Sequence, residues 1–173
     1  VLTSKKQLNK FKNKHNSLIT NSVVGTGFYL AADTFILSYT EEMVNEFISH
    51  LPDYFPASFF QKKVEKEFEI RWYLLDNKFY SMAIFSQQNE KTAIDFRKYD
   101  EERPNRNVPF KLPAEQEEKL LNLAKKFKMD SCSFDLIYGK DEQYYFLEVN
   151  PVGQFGMTSF PCNYHIEKRI AKY

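Results

Sequence analysis

Two periods of apolar positions run along this chain. Between Thr3 and His15 they fall three apart, with Leu8 and Phe11 on a thin apolar side among lysines, which predicts a short basic helix. The stretch 17–39, SLITNSVVGTGFYLAADTFILSY, predicts two strands, broken near Gly25 and Gly27 where glycine permits a tight turn. Residues 40–51, TEEMVNEFISHL, return to helical spacing: Thr40 is placed to cap, acids fill the first turn, and Met43, Phe47, Ile48 and Leu51 face inward. Pro52 and Pro56 bracket a loop. The run 58–87 is the most strand-like, two aromatic stretches around a hairpin turn at LDNK. TAIDFRKY, 92–99, predicts a short strand with Asp95 and Arg97 on one face, because strand side chains alternate. The polar, proline-punctuated stretch 100–113 predicts a loop. Residues 113–128 predict a helix opened by Pro113, with acids early, lysines late and a stripe of Leu120, Leu123, Ala124 and Phe127. SCSFDLIYG and QYYFLEVN predict strands joined by GKDE, and 162–173 a last helix with Ile166, Ile170 and Tyr173 inward. This order predicts an α+β fold: antiparallel sheets with helices packed on one side.

Composition narrows the picture. Of 173 residues, 43% are apolar and 27% charged, which supports a packed core of one domain or one and a half. The net charge of +1 gives no field that argues for nucleic acid. Two cysteines, Cys132 and Cys162, are too few for a disulfide framework and fit a reducing, cytoplasmic setting. No run of about 18 apolar residues predicts a membrane span, and the first residues lack a signal-peptide core. The sequence begins at Val1 rather than Met, which reads as a fragment or a processed product. The 17 Phe and 11 Tyr fit a β-rich core.

Chemistry gathers where the last strand ends. Glu148 and Asn150, two apart on a strand, share a side, and a hairpin pairing Tyr138 with Tyr145 sets Asp135 opposite Glu148. Two carboxylates and an amide oxygen are a hard-oxygen set suited to Mg²⁺. The same three side chains also read as ordinary solvated strand residues. Asn150-Pro151 ends the strand, and Gly153 and Gly156 would allow close backbone approach, as a phosphate needs. Glu69 and Arg71, then Asp95 and Arg97, repeat the two-residue spacing, and cationic forks beside carboxylates suit polyphosphate. His165 and Cys162 are too few for a metal site, and both cysteines read as packing residues.

The series SFDLIY with YYFLEVNPVGQFG resembles the metal-binding hairpin of the ATP-grasp ligases, an Asp on one strand and Glu-x-Asn on the next. EIRWYLLDNKFYSMAIFSQ, IDFRKYD, RPNRNVPFKLP and NPVGQFGMTSFPCNYHIEKRIAKY look like one branch of that superfamily. This branch is the graspetide (omega-ester or omega-amide peptide) maturases, in particular the ATP-grasp partner of grasp-with-spasm systems. The resemblance is strong over about 55–173 and loose over 1–54. It implies an ATP-grasp fold with the N-terminal pre-ATP-grasp lobe absent from this chain. Residues 1–60 would be an incomplete central subdomain, and 61–173 the C-terminal subdomain holding metal and phosphate. It implies ATP and Mg²⁺ as cofactors, with Asp135, Glu148 and Asn150 on the metal. Adenine would meet backbone near Gln61 and Val64, Lys66 would face phosphate or stay solvated, and Glu69 would reach ribose or pair with Arg71. Arg97 would lie near the γ-phosphate and acyl-phosphate, with Asp95 orienting it or touching substrate, and Arg71 would join them as a catalytic cation. The implied reaction activates side-chain carboxylates of a ribosomally made precursor peptide, leader and core, as acyl-phosphates, then closes ester or amide rings. The same ATP site would serve an amino-acid ligase acting on a protein or small amine, and a degenerate module would only bind peptide. Relatives carry a lysine where the nearest match here is Asn21. Gly25-Thr26-Gly27 would form a phosphate lid or a plain hairpin turn. The helix from Ala114 to Lys128, or the loop before it, would dock a leader peptide or stand as a solvated face. Related proteins are often homodimers.

Overall fold

The computed structural model describes residues 1–23, 27–31 and 34–172, with the side chains of 27–31 and 34 excepted. Gly25 and Thr26 of the expected glycine lid, and Tyr173 of the last helix, lie outside the described residues. The chain forms two compact units: residues 1–64 with 90–100, and residues 65–89 with 101–173.

The first unit opens with β1 (Leu2–Ser4) and α1 (Lys5–His15), whose N-terminus Ser4 caps through its hydroxyl, accepting from the Gln7 N–H. β2 (Leu18–Asn21), β3 (Gly27–Ala31), β4 (Thr34–Leu37) and β5 (Glu41–Glu42) follow, then α2 (Asn45–His50) and β6 (Tyr54–Lys62). A four-stranded sheet runs β1-β6-β2-β5, and among the described residues β3 pairs with β4 alone. Leu8, Leu18, Met43, Ile48 and Phe60 form the core. The helix expected over 40–51 is shorter. Glu41 and Glu42 pair along β2 opposite Thr20 and Ile19, so Thr40 caps nothing, and Phe47 faces solvent. The residues expected as two strands hold three, β2, β3 and β4, among the described residues. The strand expected over 92–99 is a set of turns instead. Asp95 is buried there, and its carboxylate binds neighbouring N–H groups that a ladder would otherwise use.

The second unit is a five-stranded antiparallel sheet in the order β11-β10-β7-β8-β9. Its strands are β7 (Lys66–Leu75), β8 (Lys78–Phe85), β9 (Arg106–Phe110), β10 (Ser131–Gly139) and β11 (Tyr144–Asn150). α3 (Ala114–Lys126) precedes β10, and α4 (Gly156–Cys162) and α5 (Ile166–Ile170) end the unit. The β7–β8 turn is the predicted one: Asp76 and Asn77 have φ of 46° and 58°, the left-handed pair that a two-residue hairpin requires. β9 occupies part of the expected loop, and Pro109 is tolerated because β9 is an edge strand.

Alternation sorts the central strand. Ile70, Trp72 and Leu74 face Leu120 and Ala124 of α3, with Phe134, Leu136 and Cys132 beside them. The Trp72 ring stacks on Phe79 at 4.1 Å. Phe127, expected in the α3 stripe, is exposed, since the helix ends before it. On the other face Tyr73, Leu75 and Tyr80 pack against Ile166, with Tyr164 and Ile170 around them, so α5 covers one end of that face. The helix expected over 162–173 is shorter: Asn163 and His165 take left-handed φ of 55° and 53°, so α4 ends at Cys162 and only Ile166–Ile170 of the expected range forms α5. Among the described residues no helix is long and apolar enough to cross a membrane.

Candidate functional site

The other end of that second face is polar. Glu69 and Arg71 point from β7 to the side opposite Trp72, and β10 sets Asp135 beside Arg71 and opposite Glu148 of β11. The predicted Asp135–Glu148 pairing therefore forms. The expected Tyr138–Tyr145 pairing does not: Tyr138 lies opposite Tyr144, and Leu136 opposite Phe146. Leu147 is an extra residue in β11, a bulge that shifts the hairpin tip by one while leaving the carboxylates in register. The run of four apolar residues from Tyr144 to Leu147 hides such an insertion from a reading of alternation.

Four side chains interlock at the bulge. Arg71 Nη1 donates to Asp135 Oδ2 in an ion pair. Asn150 Nδ2 donates to the same oxygen at 3.2 Å and to Glu148 Oε1 at 2.9 Å. Burial pushes the Asp135 carboxyl up to about 6; Glu148 and Glu69 add to the rise, and the Arg71 guanidinium opposes it. Arg71 Nε is buried without a partner, so the guanidinium has donor capacity left for a ligand oxygen.

Glu69 does not pair with Arg71, one of its two expected roles. It accepts from Lys66 Nζ at 2.6 Å and from Ser86 Oγ at 2.7 Å, all three side chains buried. Lys66 is accordingly a paired, buried lysine rather than a solvated one. Ser86 escapes a reading of charged residues alone, yet it follows β8 two positions after Ile84, which lies opposite Glu69. Ser133 was also missed. It lies opposite Asn150 on the Asp135 side of β10, fully buried, and alternation carried two residues back from Asp135 finds it.

Asp95 and Arg97 belong to the first unit. Arg97 grips the carboxylate twice, Nε to Oδ1 at 2.8 Å and Nη2 to Oδ2 at 2.6 Å, while the N–H groups of Arg97 and Thr40 donate at 3.0 and 2.9 Å. Burial raises the Asp95 carboxyl, but these donors outweigh it and hold the group below its ordinary value. The two-residue spacing thus makes a pair through a turn, not through a strand. Gln61 is exposed on β6, and Val64 is half-buried at the end of the first unit. Asn21 sits on β2 opposite Phe59, its Oδ1 accepting from the Ser22 N–H at 2.8 Å.

The glycines after the strand have a structural reason. Gly153 has φ +53°, and a Cβ there would lie 2.8 Å from the Tyr73 ring and 3.1 Å from the Cys132 backbone. The close approach at Gly153 is to protein, not to phosphate, and Gly156 opens α4. Both cysteines are free and buried, and burial pushes their thiols up to about 11, which suits packing rather than reactivity.

Does the bulge cluster suit a magnesium ion? Among the described residues no group of three His, Cys, Asp or Glu is placed to hold a metal; the candidate set is two carboxylates and an amide. Their chemistry fits. Glu148 raises the Asp135 pKa by charge repulsion, which a cation relieves, and the Asn150 amide that now bridges both acids offers an oxygen when turned over.

No protein-family model and no curated protein matches the chain. Solved structures do. The RiPP-associated ATP-grasp ligase of Chryseobacterium gregarium, in complex with ADP and a leader and core peptide, matches at 25% identity and TM-score 0.76, over 89% of this chain and 47% of its own. Macrocyclase MdnC of Microcystis aeruginosa, bound with its precursor peptide MdnA, matches at 27% identity and TM-score 0.71, over 92% and 50%. The chain is similar in fold to this RiPP-associated ATP-grasp ligase and this macrocyclase. PsnB, an ATP-grasp ligase complexed with a phosphomimetic variant of its minimal precursor, Mg and ADP, shares that ATP-grasp fold at 18% identity and TM-score 0.64, over 94% and 47%. The chain spans about half the length of the structures it matches.

Proposed function

We propose that this chain supplies the metal- and phosphate-facing strands of an ATP-dependent ligase that modifies a ribosomally made precursor peptide. The carrying observation is the bulge cluster of Asp135, Glu148, Asn150 and Arg71, on a fold shared with ligases solved with ADP and precursor peptides. On this reading a side-chain carboxylate of the peptide attacks the γ-phosphate of ATP. The bond from the γ-phosphorus to the bridging oxygen breaks, giving ADP and an acyl-phosphate. A Ser or Thr hydroxyl, or a Lys amine, attacks the acyl carbon, phosphate leaves, the nucleophile's proton passes to solvent or phosphate, and an ester or amide ring closes.

Asp135, Glu148 and Asn150 would hold Mg²⁺, which when bound neutralises polyphosphate charge. Arg71, tied to Asp135 with Nε spare, orients phosphate oxygens. Lys66 and Glu69, locked with Ser86, stiffen the start of β7 near the nucleotide, and backbone at Gln61 and Val64 meets adenine. Arg97, its guanidinium fixed by Asp95, steadies the transferring phosphoryl group. We assign the chain to the grasp-with-spasm branch, acting in the cytoplasm as a homodimer; the free buried cysteines fit a reducing compartment.

The test is intact-mass analysis of a candidate precursor incubated with the protein, ATP and Mg²⁺, beside Glu148→Ala. Loss of one water per ring with matching ADP release is the expected result, absent in the variant. A mass gain by one added amino acid would redirect the reading to an amino-acid ligase, and unchanged mass with peptide bound would make the chain a binding module. Glu148 is exposed, so its replacement leaves the fold intact while weakening Mg²⁺-dependent ADP binding at least about ten-fold, as losing one of three metal ligands requires.

A further inference from the structure

At the turn end of the β7–β8 hairpin, α5 and the residues after it enclose an open cavity of about 230 Å³ lined by Leu75, Asp76, Lys78, Tyr80, Arg169 and Lys172. It lies four residues along β7 from Arg71, about 13 Å at strand rise, and shares no residue with the bulge cluster. Its charge is lopsided: three cations and one carboxylate line it in a chain whose net charge is +1. Elsewhere Lys63, Lys66, Arg71, Arg97, Lys98 and Lys119 are held in ion pairs. Among the described residues Lys78, Arg169 and Lys172 enter no ion pair.

The cavity is also preorganised. The Arg169 guanidinium lies over the Tyr80 ring, 5.6 Å from its centroid. Tyr80 is 8% exposed and braced edge-on by Tyr164, whose hydroxyl donates to the Ser81 carbonyl at 2.7 Å. Stacking on a fixed ring limits the conformers of Arg169 and leaves its N–H fork open, the geometry that takes a planar carboxylate by two parallel bonds. Leu75 and the Tyr80 ring add apolar wall for the methylenes of an acidic side chain. Asp76, also lining the cavity, disfavours a doubly charged phosphate more than a singly charged carboxylate.

We propose that this cavity is a docking site for a carboxylate side chain in an acidic segment of a peptide, separate from the bulge cluster. If the ligase reading holds, that peptide is the precursor, anchored here while another carboxylate reacts.

The experiment measures anisotropy of a fluorescein-labelled peptide of four glutamates flanked by glycine-serine, titrated with the full chain without nucleotide or Mg²⁺. The Lys78→Gln/Arg169→Gln pair is titrated in parallel, with melting curves for both. We expect saturable binding that falls about ten-fold in the variant, weakens with salt and persists in Glu148→Ala. Both replaced side chains are exposed, so melting stays unchanged. Equal binding by the variant, or loss on Glu148→Ala, overturns the proposal. Complete competition by an equal concentration of inorganic phosphate also overturns it, in favour of a phosphate site. Mg²⁺-dependent ADP binding is read separately: its absence refutes the ligase reading while the peptide titration still decides the cavity.

Discussion

Asp95 shows how one buried carboxylate fastens a segment. It receives two bonds from the Arg97 side chain and one each from the N–H groups of Arg97 and Thr40, and Lys98 adds an ion pair to Glu41 at 2.5 Å. The folded-state pKa of Asp95 is below its ordinary 3.8. Its contribution to stability is therefore complete above that value and is lost as pH falls through the lower, folded pKa. We expect the melting temperature to drop on acidification below about pH 4, and Asp95→Asn to lose that part of the pH dependence. At pH 7 the same substitution should cost about 1–3 kcal/mol, because Arg97 and two N–H groups lose a charged acceptor. Thermal melts from pH 3 to 7 on both proteins check this; superimposable pH profiles would refute it. Gly153 gives a second test at this scale. With φ +53° and Cys132 backbone 3.1 Å from a prospective Cβ, Gly153→Ala combines strain with a clash, and urea denaturation should show a loss of about 1–3 kcal/mol.

Among the elements, the β7–β8 hairpin and the β10–β11 carboxylate register could be read from the sequence, because alternation and turn chemistry are local signals. The bulge at Leu147 could not: Tyr144, Tyr145, Phe146 and Leu147 are all apolar, so the phase shift of an inserted residue does not show in them. Residues 40–51 misled for another reason. Their acids and apolar spacing suit a helix, but Glu42 meets Ser17 at 2.7 Å and Lys63 at 2.9 Å, partners distant in sequence. The Asp95–Arg97 pair was legible as spacing and misread as strand, since the donors that fold it into a turn include Thr40. At the site, the charged residues were found and the buried hydroxyls were not, for Ser86 and Ser133 carry no charge to draw notice. The hairpin turn offers a direct test. Asn77 has φ +58°, a conformation glycine adopts without a steric penalty, and Asp-Gly is a favoured pair for this turn. Asn77→Gly should leave stability within about 0.5 kcal/mol of the parent or raise it, whereas Asn77→Val should lower it by about 1–2 kcal/mol. Equal denaturation midpoints for the two variants would show that the turn does not set the hairpin.

For the whole molecule, the decisive feature is that the two units keep separate cores. The chain leaves the first unit after Val64, returns with residues 90–100, and leaves again. Leu8, Leu18, Met43, Ile48 and Phe60 fill one core, and Ile70, Trp72, Phe134 and Leu120 lead the other, with no residue in common. The larger unit combines a five-stranded sheet with α3 against one face, and it holds Trp72, the sole tryptophan, fully buried. Tryptophan fluorescence therefore reports the second unit alone, while far-ultraviolet circular dichroism reports both. A core that shares no side chains with its neighbour can be weakened by itself. Leu8→Ala removes a side chain with 0% exposure and should cost the first unit about 2–5 kcal/mol. In urea we expect the dichroism curve to gain an early phase while the fluorescence midpoint stays within error of the parent. Leu120→Ala, on the α3 side of the other core, should do the reverse, moving the fluorescence midpoint first. If both probes shift together in both variants, the units unfold as one, and the separation of cores has no thermodynamic consequence.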